Sequence, residues 1–111
     1  MKNMENNKYR VVFSKTCQRE IKTICEYIET KLYARQVSKR LIEKMYKLIS
    51  NLERYPLMYP KVSNFKNVKL KYRKITVDNY IILYTIRENI VYISHMYYGK
   101  SNYVSKKDIE F

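Results

Sequence analysis

The chain has 111 residues, enough for one domain with a single core and too few for a second catalytic module. One glycine and two prolines leave no phosphate-cradling glycine-rich loop, which excludes a P-loop or a dinucleotide fingerprint. Lys and Arg number 23 against 10 Asp and Glu, and a net charge of +13 on so small a body attracts polyanions: nucleic acid, the ribosome or an acidic protein.

Residues 1–7 are polar and expected to fray, after which Tyr9-Arg10-Val11-Val12-Phe13 reads as a short strand rich in β-formers. No leader-like apolar stretch opens the sequence and no apolar run approaches a membrane span, so a cytoplasmic location and no membrane partner are expected. Ser14 suits a helix cap. Beyond it Ile21, Ile24, Ile28 and Leu32 recur at steps of three and four, with charged residues between them, which predicts an amphipathic helix over roughly 14–31. Cys17 and Cys25, eight apart on this helix, match neither a redox pair nor a zinc knuckle and are read as ordinary core or half-buried thiols.

A second periodic stretch runs through Val37, Leu41, Met45, Leu48, Ile49 and Leu52 until Pro56 forbids continuation, completing a helical hairpin. Tyr55 to Pro60 forms an extended aromatic connection. Three strands then follow, Val68–Val77, Tyr80–Ile86 and Ile90–Tyr97, joined by Asp78-Asn79 and Arg87-Glu88-Asn89, links short enough to force antiparallel neighbours. Val68, Leu70 and Tyr72 share one parity and Ile75 and Val77 the other, which predicts a bulge or sharp twist near Arg73-Lys74. The order βααβββ gives an α+β fold in one domain spanning 1–111. The helical hairpin packs on one face of a curved, mainly antiparallel sheet, and 104–111 is a C-terminal tail.

Between Arg54 and Val77 seven cations occur without one acidic residue. Alternation aims Lys69, Lys71 and Arg73 to one side, where they can line a groove for phosphates or acidic side chains; an edge strand made basic against edge pairing has the same pattern. Ser94-His95-Met96-Tyr97-Tyr98-Gly99-Lys100 brings the single histidine, two tyrosines and a lysine to the end of the last strand. His95 is the natural acid or base if RNA is cut by its 2′-hydroxyl, and equally an ordinary hydrogen-bonded strand residue. Of the 13 tyrosines, Tyr27, Tyr46, Tyr80, Tyr84 and Tyr92 are expected in core or sheet packing. Tyr97, Tyr98 and Tyr103 sit where a ligand can be met.

From Tyr9 to Tyr103 the order of elements and two strings resemble the RelE/ParE toxin superfamily. Tyr72-Arg73-Lys74-Ile75-Thr76-Val77-Asp78-Asn79-Tyr80-Ile81-Ile82-Leu83-Tyr84 is similar to the family hairpin "YRxLxVxxYxIxY", and Tyr98-Gly99-Lys100-Ser101-Asn102-Tyr103 is similar to the "HGRRDY" ending of the ParE-like branch. Tyr55-Pro56 matches that branch's aromatic-proline stop. The resemblance implies a type II, plasmid-stabilising toxin without metal or cofactor. Its cognate acidic antitoxin wraps the hairpin and sheet, and its target is DNA gyrase or messenger RNA on the ribosome.

The nuclease branch's arginines fall on Ile81 and Ser101, and one of its paired strand lysines falls on Tyr72 while the other matches Lys74. Each missing cation removes stabilisation of charge at a scissile phosphate, which ranks the gyrase-directed branch ahead. That branch departs too, with Tyr98 for its histidine and Lys100-Ser101 for its arginine pair. In the binding reading Lys69, Lys71, Arg73, Lys74, Tyr97, Tyr98 and Lys100 meet target or antitoxin; in the enzymatic reading His95 is the acid/base and Arg73, Lys74 and Lys100 hold phosphate. A non-toxic RNA-binding domain is the remaining alternative, against which stand the missing RRM aromatics and KH glycine loop.

Overall fold

The β-forming run Val11-Val12-Phe13 builds β1, Arg10–Phe13, and the chain turns directly into helix α1, Lys15–Thr30, in a computed structural model that describes residues 8–62 and 71–99. Helix α2, Arg35–Ser50, returns alongside and tightens into a 3₁₀ turn at Asn51–Glu53 before Pro56. Strands β2, Arg73–Val77, β3, Tyr80–Arg87, and β4, Ile90–Tyr98, complete a four-stranded sheet in the order β1-β4-β3-β2. The meander β2-β3-β4 is antiparallel, while β1 lies parallel to β4, with Arg10 opposite Ile90 and Phe13 opposite Ile93. This mixed α+β sheet with the helical hairpin on one face is the architecture that the order of elements implies.

The hairpin packs over β2 to β4. Leu41, Met45 and Ile49 of α2 meet Ile75, Ile82, Tyr84, Ile93 and Met96, all buried. Burying a side chain of this size removes about 1.5–3 kcal/mol of apolar exposure each, so this layer carries the fold. On the opposite face Tyr72 and Leu83 are buried beneath Val62, Ile81 and Tyr97. The change of parity before Ile75 therefore reflects a strand covered on both faces. No register shift interrupts β2 against β3; the irregularity falls between β3 and β4, where Leu83 faces His95 and Tyr84 faces Ile93, leaving Ser94 as the extra residue. The expected bulge near Arg73-Lys74 is thus corrected to Ser94.

Two further expectations shift. The first helix ends at Thr30, so Leu32 is a half-exposed turn residue instead of the last core position. Tyr27 and Tyr46 are also half-exposed: Tyr27 borders an open groove and Tyr46 stands edge-on to Phe13 at the surface. Tyr84, by contrast, is fully buried, its hydroxyl donating to the Pro56 carbonyl at 2.7 Å. Of the strand expected over Val68–Val77, Val68 and Leu70 lie outside the described residues, as do 1–7 and 104–111, and Lys71 and Tyr72 precede β2, which begins at Arg73.

The turns are tight. Asp78-Asn79 and Glu88-Asn89 join the meander with two residues each, Asp78 and Glu88 taking positive φ. Past β4, Gly99 donates its N–H to the Asn79 carbonyl at 2.7 Å, and a Cβ there would lie 3.0 Å from that oxygen, which explains the single glycine. Lys44 reaches Asp78 at 3.0 Å across the surface, joining α2 to the first turn.

A basic sheet face and an apolar groove

The segment 55–62 forms one wall of the first candidate surface, and its conformation is set by hydrogen bonds to the sheet. Tyr84 holds the Pro56 carbonyl, the Lys74 N–H donates to Pro60 at 3.0 Å, and the Val62 N–H donates to Tyr72 at 2.8 Å. Lys61 thereby pairs beside Arg73, covering the outer edge of β2. Arg73 finishes the fastening: one guanidinium nitrogen donates to the carbonyls of Tyr59 at 2.6 Å and Leu57 at 3.2 Å. A charge-assisted bond shared by two carbonyls makes Arg73 a clasp for this loop, with less freedom to meet a phosphate.

Lys61, Lys71 and Arg73 line a recess of about 220 Å³ with Leu57, Thr85 and Ile86. The Thr85 hydroxyl donates to the Lys71 carbonyl at 2.9 Å, fixing the backbone that presents Lys71. Lys74 is exposed opposite Leu83, and the Arg87 guanidinium lies 6.0 Å from the Tyr92 ring centre. Lys61, Lys71 and Arg73 thus share one recess, Lys74 follows Arg73 on β2 and so points to the other face, and Lys69, Lys100 and Tyr103 fall outside the described residues. Tyr97 packs into the small apolar cluster beside Ile81 and is half-buried, its phenol pushed above the ordinary range by burial.

His95 lies at a different kind of place. It is 4% exposed, and its Nδ1 is 3.4 Å from one Glu20 carboxylate oxygen and 3.5 Å from the other. The same carboxylate accepts the Met96 N–H at 3.0 Å, a backbone donor just past the point where β1 ends and stops pairing β4. Ser14 completes this seam. Its hydroxyl oxygen accepts from the Cys17 N–H at 2.9 Å, capping α1, and donates to the Ser94 carbonyl at 2.8 Å, while its own N–H donates to Ile93 at 2.9 Å. Cys17, buried against this seam, has its thiol pushed up to about 12, by burial first and by Glu20 second. A thiol so shifted is a packing group with negligible nucleophilic character near neutrality.

The second surface is a groove of about 1080 Å³ between the helical hairpin and the far end of β3-β4. Ile24, Tyr27, Leu32, Val37 and Leu41 form its helical wall and Tyr80 and Tyr98 its sheet wall, with Asp78 and Asn79 at one end. Tyr98 is 44% exposed and stands edge-on to Tyr80 at 5.7 Å. Sequence reasoning placed Tyr98 at the end of the last strand but missed its helical neighbours, because Leu32 and Val37 match the spacing of core positions. Their half exposure arises where the two helices part near the turn. Among the described residues no helix is long and apolar enough to cross a membrane, and no three His, Cys, Asp or Glu side chains gather as a metal site.

Residues 11–103 match the family model described as "ParE toxin of type II toxin-antitoxin system, parDE". Among solved structures, a chain from the "Chromosomal ParDE TA system from P. aeruginosa" superposes with a TM-score of 0.68 at 7% sequence identity, covering 83% of this chain and 97% of that one. At that identity the likeness speaks for the fold. No match was found among curated protein sequences.

Proposed function

Because this chain belongs to the ParE toxin family of type II toxin–antitoxin systems, we propose that it arrests growth by binding and poisoning DNA gyrase, without cutting RNA. The carrying observation is the burial of His95, which is 4% exposed and held beside Glu20. A general acid or base must reach the proton it transfers, and a β4 side chain buried against Glu20 of α1 is poorly placed to do so. Arg73, one of the cations that the enzymatic reading needs at a phosphate, is held by the Tyr59 and Leu57 carbonyls. What the surface offers instead is a set of contacts: Lys71 at the recess, the exposed Lys74 on β2, and Tyr98 in the groove.

A cytoplasmic module follows, in which a cognate acidic antitoxin neutralises the toxin. The groove between hairpin and sheet supports this part of the reading, since an amphipathic segment seated there would bury Leu32, Val37 and Tyr98, and a chain of net charge +13 favours an acidic one. Lys69 and Lys100 add to the net positive charge and so to that attraction.

The test is induced expression in bacteria lacking the antitoxin, with growth, integrity of messages on translating ribosomes and gyrase supercoiling followed together. Arrest with intact messages and blocked supercoiling is expected. Arrest with cut messages and normal supercoiling overturns the proposal in favour of a ribosome-dependent endonuclease. The wild-type readout alone decides, so the answer does not depend on whether a His95→Ala variant folds.

A further inference from the structure

The turn between the two helices breaks three local rules at once. Tyr33 adopts φ 51°, a left-handed conformation that glycine or asparagine fills at helix ends and that is strained for a bulky side chain. Ala34, the N-cap of α2, has no side-chain oxygen to accept the first N–H groups. Arg35 puts a positive charge in the first turn, where the helix dipole favours an acid, and no acidic residue stands there. Ala34 packs against the core, but the fold gains nothing from Tyr33: it is 89% exposed, so its ring returns no burial against the strain of its backbone.

The surroundings define a surface. Leu32 at 55% and Val37 at 49% exposure flank Tyr33 with aliphatic area, and Lys31 and Arg35, both exposed, flank it with positive charge. Leu32 and Val37 also line the groove, whereas Tyr33 stands at the convex end of the hairpin. A projecting aromatic side chain is completed by a concavity, which a folded protein supplies and an extended antitoxin segment does not. The aliphatic neighbours suit an apolar protein pocket better than a stacked base, and the two cations suit carboxylates around it.

We propose that the Leu32–Tyr33 turn is the toxin's target anchor, inserting Tyr33 into an apolar pocket on a folded, negatively charged protein while Lys31 and Arg35 meet acidic groups at the rim. This rests on the binding-poison reading given above and adds the contact through which the poison takes hold. Tyr33, Lys31 and Arg35 lie outside the groove and are for the target, whereas Leu32 and Val37 border both surfaces.

The experiment compares wild type with Tyr33→Gly and Tyr33→Phe in three readouts: thermal melting of the purified chain, growth arrest without antitoxin, and rescue by co-expressing the product of the adjacent reading frame. Tyr33→Gly is expected to melt at the same temperature or higher, because glycine accepts the left-handed backbone. Growth arrest is expected to need at least about ten-fold more toxin, the loss typical of an aromatic hot spot. Tyr33→Phe, which keeps the ring, is expected to arrest growth nearly as wild type does.

Arrest unchanged in Tyr33→Gly overturns the anchor. So does a lower melting temperature with lost arrest, which would make Tyr33 a folding residue, and so does lost rescue with arrest intact, which would give the tip to the antitoxin. Tighter binding of wild type than of Tyr33→Gly to a single-stranded oligonucleotide, with equal binding to purified gyrase, also overturns it in favour of nucleic acid. The gyrase reading fails separately: arrest with normal supercoiling that still depends on Tyr33 leaves the anchor standing on another protein, and a wild-type chain that arrests nothing overturns both.

Discussion

The two ends of α1 are built on opposite terms. At its start Ser14 caps the helix, donates to β4 and lies next to a buried cysteine, while one turn later Glu20 accepts a β4 N–H beside His95. At its far end the chain leaves the helix through Tyr33 in a left-handed conformation, with the next helix uncapped. The first end is enclosed and its polar groups meet partners across the fold; the second is exposed and locally unfavourable. The difference teaches where to look for each property: stability resides at the α1–β4 seam, and recognition is expected where stability is given up.

Alkaline titration should expose the seam most strongly. The Cys17 thiol is raised from 9.0 to about 12 and the Tyr84 phenol from 10.0 to about 12, both chiefly by burial, so the folded state holds these protons more tightly than the unfolded chain. The stabilisation is complete below pH 9 and is lost as pH rises toward 12. Denaturant melts across this range should show a steep fall, and Cys17→Ala should remove the part that begins near pH 9. A flat profile in wild type would mean that both groups are open to water, Cys17 at the seam and Tyr84 beneath the 55–62 loop.

Glu20→Ala comes next, since it leaves the Met96 N–H without its acceptor and takes the carboxylate from His95; a loss of about 2–3 kcal/mol in urea unfolding is expected. Glu20→Gln, which keeps an oxygen for Met96, should cost less than half of that. Ser14→Ala removes a cap and a tertiary bond together and should cost about 1–2 kcal/mol. Equal losses for Ser14→Ala and for Arg35→Ala, at the exposed first position of α2, would erase the contrast between the two helix starts.

The smallest effect has the opposite sign. Relief of the left-handed strain, reduced by the greater freedom of unfolded glycine, should make Tyr33→Gly more stable by up to about 1 kcal/mol. A gain at the tip beside losses at the seam would confirm that the two ends serve different purposes.

Local signals explain how much of this was readable beforehand. Ser14, the three-four spacing from Ile21 to Ile28, the Pro56 stop and the Asp78-Asn79 turn each act within a few residues of themselves, and the elements they predicted are present. His95 was readable as a residue type and not as a place, because the carboxylate that encloses it comes from Glu20, 75 positions earlier. Arg73 looked like one cation of a row; its attachment to Leu57 and Tyr59 depends on how the loop folds back over β2. Tyr33 had a signal that went unused: a helix-to-helix turn, Leu32-Tyr33-Ala34, without the glycine or asparagine that such a turn ordinarily employs.

The parallel pairing of β1 with β4 has a consequence in time. Ser14 and Ser94 are bonded across 80 positions, and the strand that β1 needs is the last of the four to be made. Closing so long a loop is slow compared with forming the helical hairpin or the β2-β3-β4 meander, whose contacts are local. Both halves can therefore form early while the seam that joins α1 to β4 waits, and a newly made molecule acquires its finished surface only at that final docking. For a toxin of a type II toxin–antitoxin family, this delay is an interval in which an antitoxin made beside it can arrive first.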